Sequence, residues 1–200
     1  MEKVFVLGRD VVPERFELRA GEQLKLTLVA LPGVSADVPV RVEMLGEGAE
    51  LDAAGLYLCL GDERVNLRMD VRHNVGGCVS RQLFKGIVGG TARSDFYGLI
   101  YVARDAQRTE AYQENHNLLL SDEAWALTKP QLEIYADDVA CSHGATVGRL
   151  NADELFYMRS RGIPEAEARA LQMISFLSPV LARIPDEALV AEILRSLENR

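Results

Sequence analysis

The stretch Val65-Asn-Leu-Arg-Met-Asp-Val-Arg-His-Asn-Val-Gly-Gly77 decides the fold. Val65, Leu67, Met69 and Val71 fall on one parity, and Asn66, Arg68, Asp70 and Arg72 on the other. Successive side chains of a strand point to opposite faces, so the alternation predicts a strand with one buried and one solvated face. His73 continues the inward phase, which predicts a hydrogen-bonded core histidine. Gly76-Gly77 closes the run as a turn. The same period of two appears on either side: in Leu24, Leu26 and Leu28 around Lys25 and Thr27, in Val38, Val40, Val42 and Met44, and from Phe96 to Val102. Turn material separates the runs at Arg19-Ala-Gly-Glu22, Leu45-Gly-Glu-Gly48, Gly61-Asp-Glu63 and Gly89-Gly90. Short strands at frequent spacing suit a sandwich, a barrel or a solenoid. An internal echo favours the solenoid: Arg72-His-Asn-Val-Gly-Gly77 and Glu114-Asn-His-Asn-Leu-Leu119 share a His-Asn pair, at His73-Asn74 and His116-Asn117. Stacked units of a solenoid bury one another's open edges.

Near Asn151 the texture changes. Asn151 with Glu154 resembles a capping box, and Gly162 followed by Pro164 marks a helix end, so a helix is expected from about Ala152 to Arg161. Pro164, Glu165 and Glu167 open a second helix, which Ser178-Pro179 should kink or break. Pro185 opens a third, in which Leu189, Val190, Ile193, Leu194 and Leu197 form an apolar stripe opposite Glu187, Glu192, Arg195 and Glu198. That stripe either packs on the chain's own β body or docks into a partner. The expected organisation is a β region over 1–150 and a helical region over 151–200.

Composition narrows the function. The 200 residues are 48% hydrophobic and 26% charged with a formal net charge of −8. That profile suits a folded globular chain and argues against affinity built on phosphate neutralisation, so nucleic acid is not an expected partner. The start carries no apolar run of signal-peptide length and no segment has the length of a membrane helix, which points to a cytoplasmic protein without a membrane role. Three cysteines, Cys59, Cys78 and Cys141, show no CxxC spacing and fit free thiols in a reducing compartment. Cys59 is expected in the core and Cys78 at an exposed bend. No Walker loop, GxGxxG, HExxH or GxSxG occurs.

The segment richest in chemistry is Asp138-Val-Ala-Cys-Ser-His-Gly144. Asp137-Asp138 would point to opposite faces of a regular strand, so a turn role suits the pair better than a shared metal. If the following residues are extended, Val139, Cys141 and His143 share one face. Their i, i+2 spacing puts neighbouring backbones ~7 Å apart, so a thiolate and an imidazole can converge on one group. Both ligands suit iron, zinc and copper. Two ligands are too few for a tetrahedral ion or a cluster, so any metal site here would need a second subunit to complete it.

Read together, these segments resemble the SufD family of iron–sulfur cluster assembly proteins, within the SufB/SufD superfamily. The stretch from Thr128 to Ala168, TKPQLEIYADDVACSHGATVGRLNADELFYMRSRGIPEAEA, carries the resemblance, and His73 to Val88, Phe96 to Val102 and Asn117 to Ala124 extend it. The resemblance implies a right-handed parallel β-helix followed by a C-terminal helical domain. It also implies a non-enzymatic scaffold that pairs edge to edge with SufB and binds the SufC ATPase through the C-terminal helices, with Leu189, Val190, Ile193, Leu194 and Leu197 as the docking stripe. The family's cysteine and histidine fall on Cys141 and His143, near the SufB–SufD interface, where a transient iron–sulfur cluster would be shared with the partner and none held tightly by this chain alone. Family members are commonly longer at the N-terminus, and residues 1–72 show no family motif. Two other expectations stand beside this one: a homodimeric solenoid module without a metal role, and a polysaccharide-active β-helix enzyme, which would need acids gathered on one outward face.

Overall fold

Glycine-rich corners return the chain after each strand so that parallel strands stack into coils. At Gly90, φ is +59° and a Cβ would lie 2.3 Å from the Gly61 carbonyl oxygen of the coil below, so only glycine lets these two corners pile directly. The computed structural model describes residues 1–198. Its strands are β1 (Glu2–Val6), β2 (Arg15–Leu18), β3 (Gln23–Ala30), β4 (Ala36–Met44), β5 (Glu50–Cys59), β6 (Arg64–His73), β7 (Val79–Val88), β8 (Arg93–Val102), β9 (Thr109–Leu119), β10 (Trp125–Ile134) and β11 (Val139–Gly148). Odd strands build one sheet in the order β1-β3-β5-β7-β9-β11, and even strands a second in the order β10-β8-β6-β4-β2. Every pairing is parallel. Alternation between two parallel sheets is a β-solenoid, one of the three architectures that the patterning allows and the one that the family resemblance implies. The His-Asn echo, however, does not mark its period. His73 lies on β6 in the even sheet and His116 on β9 in the odd sheet, while stacked residues such as Gln82 and Gln113 are 31 residues apart.

The interior changes character along the axis. In the first coils it is aliphatic, with Leu18, Leu24, Leu26, Val40, Val42, Met44 and Leu51 buried together. In the later coils the inward phase carries buried polar side chains: Ser80, Gln82, Ser94, Thr109, Gln113, Asn115 and Asn117. Part of this set is satisfied internally. Tyr57 donates its hydroxyl to Asn117 Oδ1 at 2.6 Å and accepts from Asn115 Nδ2 at 2.9 Å, and Asn117 Nδ2 donates to Asn115 Oδ1 at 2.9 Å. His73 is fully buried with Nε2 2.9 Å from Ser80 Oγ, the hydrogen-bonded core histidine that its phase predicts. Burial pushes its pKa down to about 4. Cys59 is a core thiol as expected, pushed up to about 12 by burial and by the charge of Glu63. Cys78 is not exposed at its bend. It is fully buried and its thiol points at the Gly46 carbonyl 3.3 Å away, because the next coil covers the corner.

Three helices follow: α1 (Ala152–Ser160), α2 (Glu165–Leu181) and α3 (Glu187–Leu197). Asn151 caps α1, accepting from the amides of Asp153 and Glu154 at 3.0 and 3.2 Å. The reciprocal half of the expected capping box is absent, and the Asn151 amide instead donates to Gln172 Oε1 of α2 at 3.0 Å. Pro164 is the N-cap of α2 rather than its first residue. Pro179 neither ends nor breaks α2, which runs on to Leu181. Proline lacks the amide that would bond Ser175, and the Ser178 hydroxyl donates to that carbonyl in its place at 2.8 Å. Asp186, not Pro185, starts α3, accepting from Ala188 and Leu189 amides at 2.9 and 3.2 Å. α2 and α3 lie along the outer face of the odd sheet, where Val29, Ala54, Leu56, Leu58 and Ile87 join Met173, Leu177, Val180, Leu189, Ile193 and Leu197 in one apolar cluster.

Candidate functional site at the last coil

The site is the end of the stack. β11 pairs with β9 along its whole length and β10 with β8, and among the described residues neither has a strand on its other side. Side chains that are wholly covered one coil below are therefore uncovered here. Val102 is 0% exposed, but Ile134, registered on it, is 36% exposed. Asn117 is 1% exposed, but Val147 above it is 44% exposed. Inward-phase side chains are left open to solvent at this end of the solenoid, and among the described residues the outer edges of β10 and β11 carry backbone donors and acceptors without strand partners. Exposed Trp125 and Tyr135 stand at the two ends of β10, residue types enriched where proteins associate.

Cys141 and His143 both lie on β11 in the inward phase, stacked on Ala111 and Gln113 respectively. Strand alternation places them on one face, as their spacing implies. Cys141 is half-buried and packs beside Leu132 and Val139 against Ile100, Val102 and Ala111. Burial pushes its thiol up, and a backbone hydrogen bond with Ala111 offsets only part of this, so coordination through sulfur must expel a proton. His143 is exposed. Asp137 and Asp138 sit in the bend before β11, and the Asp138 amide donates to Gln107 Oε1 at 2.8 Å, a turn role as expected. Among the described residues no cluster of three or more His, Cys, Asp or Glu could hold a metal ion. The other two histidines do not join this face: His73 lies deep in the stack, and His116 faces outward from β9, where Nδ1 is 2.8 Å from Thr146 Oγ1 and Nε2 is 3.2 Å from Glu114 Oε2. Gln113, which lies directly beneath His143, is not singled out by any motif. The signal that could have found it is an amide on the inward parity of Thr109–Leu119, in phase with Asn115 and Asn117.

The stripe expected to dock a partner lies against the chain's own sheet. Leu189, Ile193 and Leu197 are 6%, 0% and 0% exposed, and Val190 and Leu194 are half-buried against the same cluster. These side chains cover the chain's own sheet and are not available to a partner while the helix is packed. The unoccupied apolar surface lies instead at α1 and the start of α2. α1 buries none of its residues, Phe156, Tyr157 and Leu171 are exposed, and a groove of about 710 Å³ runs between α1, α2 and the last coils past Leu118, Leu150, Tyr157, Met158 and Phe176. On the outward face of the even sheet, Asp70 pairs with Arg41 and Arg72, and Glu43 with Arg15.

Fold and site together define a parallel β-solenoid with helices along one sheet, whose last coil carries Cys141 and His143 on one face. The chain belongs to the SufBD core family of the SUF system for FeS cluster assembly, whose model matches residues 10–176. The match reaches far above His73, so the first coils are family structure although they carry no recognisable motif. Among its relatives, the iron-sulfur cluster assembly protein SufD of Escherichia coli is 42% identical over 158 residues, 79% of this chain and 37% of that protein. A SufBD family iron-sulfur cluster assembly protein of Synechocystis is 44% identical over 77% of this chain and 34% of its own length. SufD of Bacillus subtilis is 31% identical over 78% of the chain and 36% of the relative. The chain thus spans about a third of the length of these relatives. No described helix is long and apolar enough to cross a membrane.

Proposed function

We propose that this chain is a non-catalytic scaffold subunit of a cytoplasmic Suf-type assembly complex. Its open last coil pairs edge to edge with a SufB-like solenoid, and the joint holds a nascent cluster between Cys141, His143 and ligands from the partner. The observation that carries this reading is the placement of both candidate ligands on β11, the strand whose outer edge is unpaired. A half set of ligands on an open edge acquires a function when a second edge supplies the other half. Iron and sulfide are cargo in this scheme, and the cluster is transient. Three free cysteines suit a reducing compartment. The names of the E. coli and B. subtilis relatives support the assembly role.

A SufC-like ATPase docks on the helical region through the exposed face of α1 and the groove beside it, with Tyr157 and Leu171 as anchors, because the stripe on α3 is consumed by packing. ATP hydrolysis in that partner would shift the paired solenoids and open the joint around His143. The direct test is anaerobic cluster reconstitution on the complex co-purified with SufB-like and SufC-like subunits, comparing wild type with His143→Ala. Loss of most of the cluster is expected, and an unchanged yield removes His143 from the scheme. The same edge could take a second copy of this chain. A dimer that persists when the SufB-like subunit is added would replace the scaffold reading with the homodimeric module.

A further inference from the structure

Beneath His143 lies a buried carbonyl oxygen with nothing bonded to it. Gln113 is 0% exposed. Its Nε2 donates to Gln82 Oε1 in the coil below at 2.9 Å, and Gln82 Nε2 is likewise buried without a partner. Gln113 Oε1 is buried and has no hydrogen-bond partner. An unbonded buried acceptor costs about 1–3 kcal/mol, so its place in a folded chain calls for a donor. The register supplies one. Gln82, Gln113 and His143 form a column through β7, β9 and β11, one residue per coil on the inward phase. Stacked strands are ~4.8 Å apart, within reach of a ring nitrogen set over an amide.

On the opposite wall the inward-phase Thr128 hydroxyl is also buried without a partner, but it is registered on Phe96 rather than on Gly98. Gly98 faces the Gln113 amide, and a Cβ there would lie 2.1 Å from Oε1, so the glycine makes the room that the amide occupies. Pro130 is registered on Gly98 in the last coil and has no donor. Cys141, the inward neighbour of His143 on β11, carries only a weak S–H donor and is registered on Ala111.

We infer that Gln113 positions His143: its side-chain carbonyl accepts the ring N–H, selects one tautomer and leaves the other ring nitrogen with its lone pair turned to the joint. This rests on the proposed role of His143 as a ligand and deepens it. A ligating histidine commonly donates its second ring nitrogen to an oxygen acceptor, which sets tautomer and ring plane. Gln113 acts through His143 and need not touch the cargo.

The test reads the ring rather than the cluster. In the full chain labelled with ¹⁵N-histidine, long-range ¹H–¹⁵N spectra separate the two neutral tautomers, His143→Ala assigns the signal, and His73 and His116 report whether the fold is intact. One tautomer of His143 is expected to predominate in wild type. Gln113→Met should mix the tautomers with His73 and His116 unmoved, and Gln113→Glu, which restores an acceptor, should return a single tautomer. If Gln113→Met disturbs the His73 and His116 signals, Gln113→Asn replaces it, since it keeps an amide but withdraws the oxygen by one methylene. Unchanged tautomer populations in the folded variant overturn the inference. In the reconstituted complex Gln113→Met should lower cluster yield part of the way towards His143→Ala. A shifted tautomer, with full yield in both Gln113→Met and His143→Ala, would keep the positioning role and overturn the ligand role.

Discussion

His73 shows how much one buried side chain can say about solution behaviour. Its imidazole is held neutral because burial penalises the charged form, and its pKa falls to about 4. In the unfolded chain a histidine titrates near 6.5. Between these values the unfolded state binds a proton that the folded state refuses, so stability rises with pH across that window. The contribution is complete above about pH 6.5 and drains away as pH falls towards 4, by an amount of order 3 kcal/mol. Urea unfolding at pH 7 and pH 4.5 should therefore show a marked loss in wild type and a smaller one in His73→Gln, and equal losses in both would refute the assignment. Glu63 runs the other way. Burial alone would raise its pKa, but the Gly33 and Gly61 amides each donate to its carboxylate at 2.7 Å and bring it below the usual range. Glu63→Gln leaves one of those donors facing an NH₂ group and should cost about 2 kcal/mol at neutral pH in the same assay. The parity of Val65 to Val71 was enough to place His73 inside. The unbonded oxygen of Gln113 was not legible, because it depends on which residue lies one coil away, and no local pattern states that.

At the scale of elements, helix ends and strand parity were legible wherever local chemistry decides them, as with the Asn151 cap. They were misjudged where a side chain repairs a local fault. Ser178 bonds the carbonyl that Pro179 abandons, and a helix expected to kink or break runs on unbroken. Ser178→Ala should cost about 1 kcal/mol in thermal or urea unfolding, and no cost would mean that the carbonyl is satisfied otherwise. The α3 stripe was visible as a stripe, but its occupant was not, since an amphipathic face has the same sequence whether it covers its own sheet or a partner. In the structure the α3 face packs on the sheet, and the two surfaces should separate experimentally. Ile193→Ser places a hydroxyl in a fully buried site and should cost about 3–5 kcal/mol. Tyr157→Ala should change stability by less than about 0.5 kcal/mol and weaken capture of a SufC-like ATPase about tenfold or more. Retained capture in Tyr157→Ala would move the docking surface elsewhere.

For the whole molecule, alternation and turn spacing left sandwich, barrel and solenoid open, the family resemblance singled out the solenoid, and its coil length was not legible. The corners and crossings differ in length, and parallel strands pair across a whole coil, so the repeat lives in the register and not in a fixed sequence period. The His-Asn echo joined two sheets that never pair. The axis also has a direction that composition hides: aliphatic at the first coils, amide-rich later, and open at β10 and β11 where Cys141 and His143 emerge. The proposed scaffold role requires that open end to be a pairing edge. Hydrogen–deuterium exchange of the amides in 139–148, in the chain alone and with a SufB-like subunit added, measures it most directly. The outward-facing amides of β11 should slow by at least about tenfold in the complex while those of β1 keep their rates; unchanged exchange along β11 in a complex that has formed would contradict it.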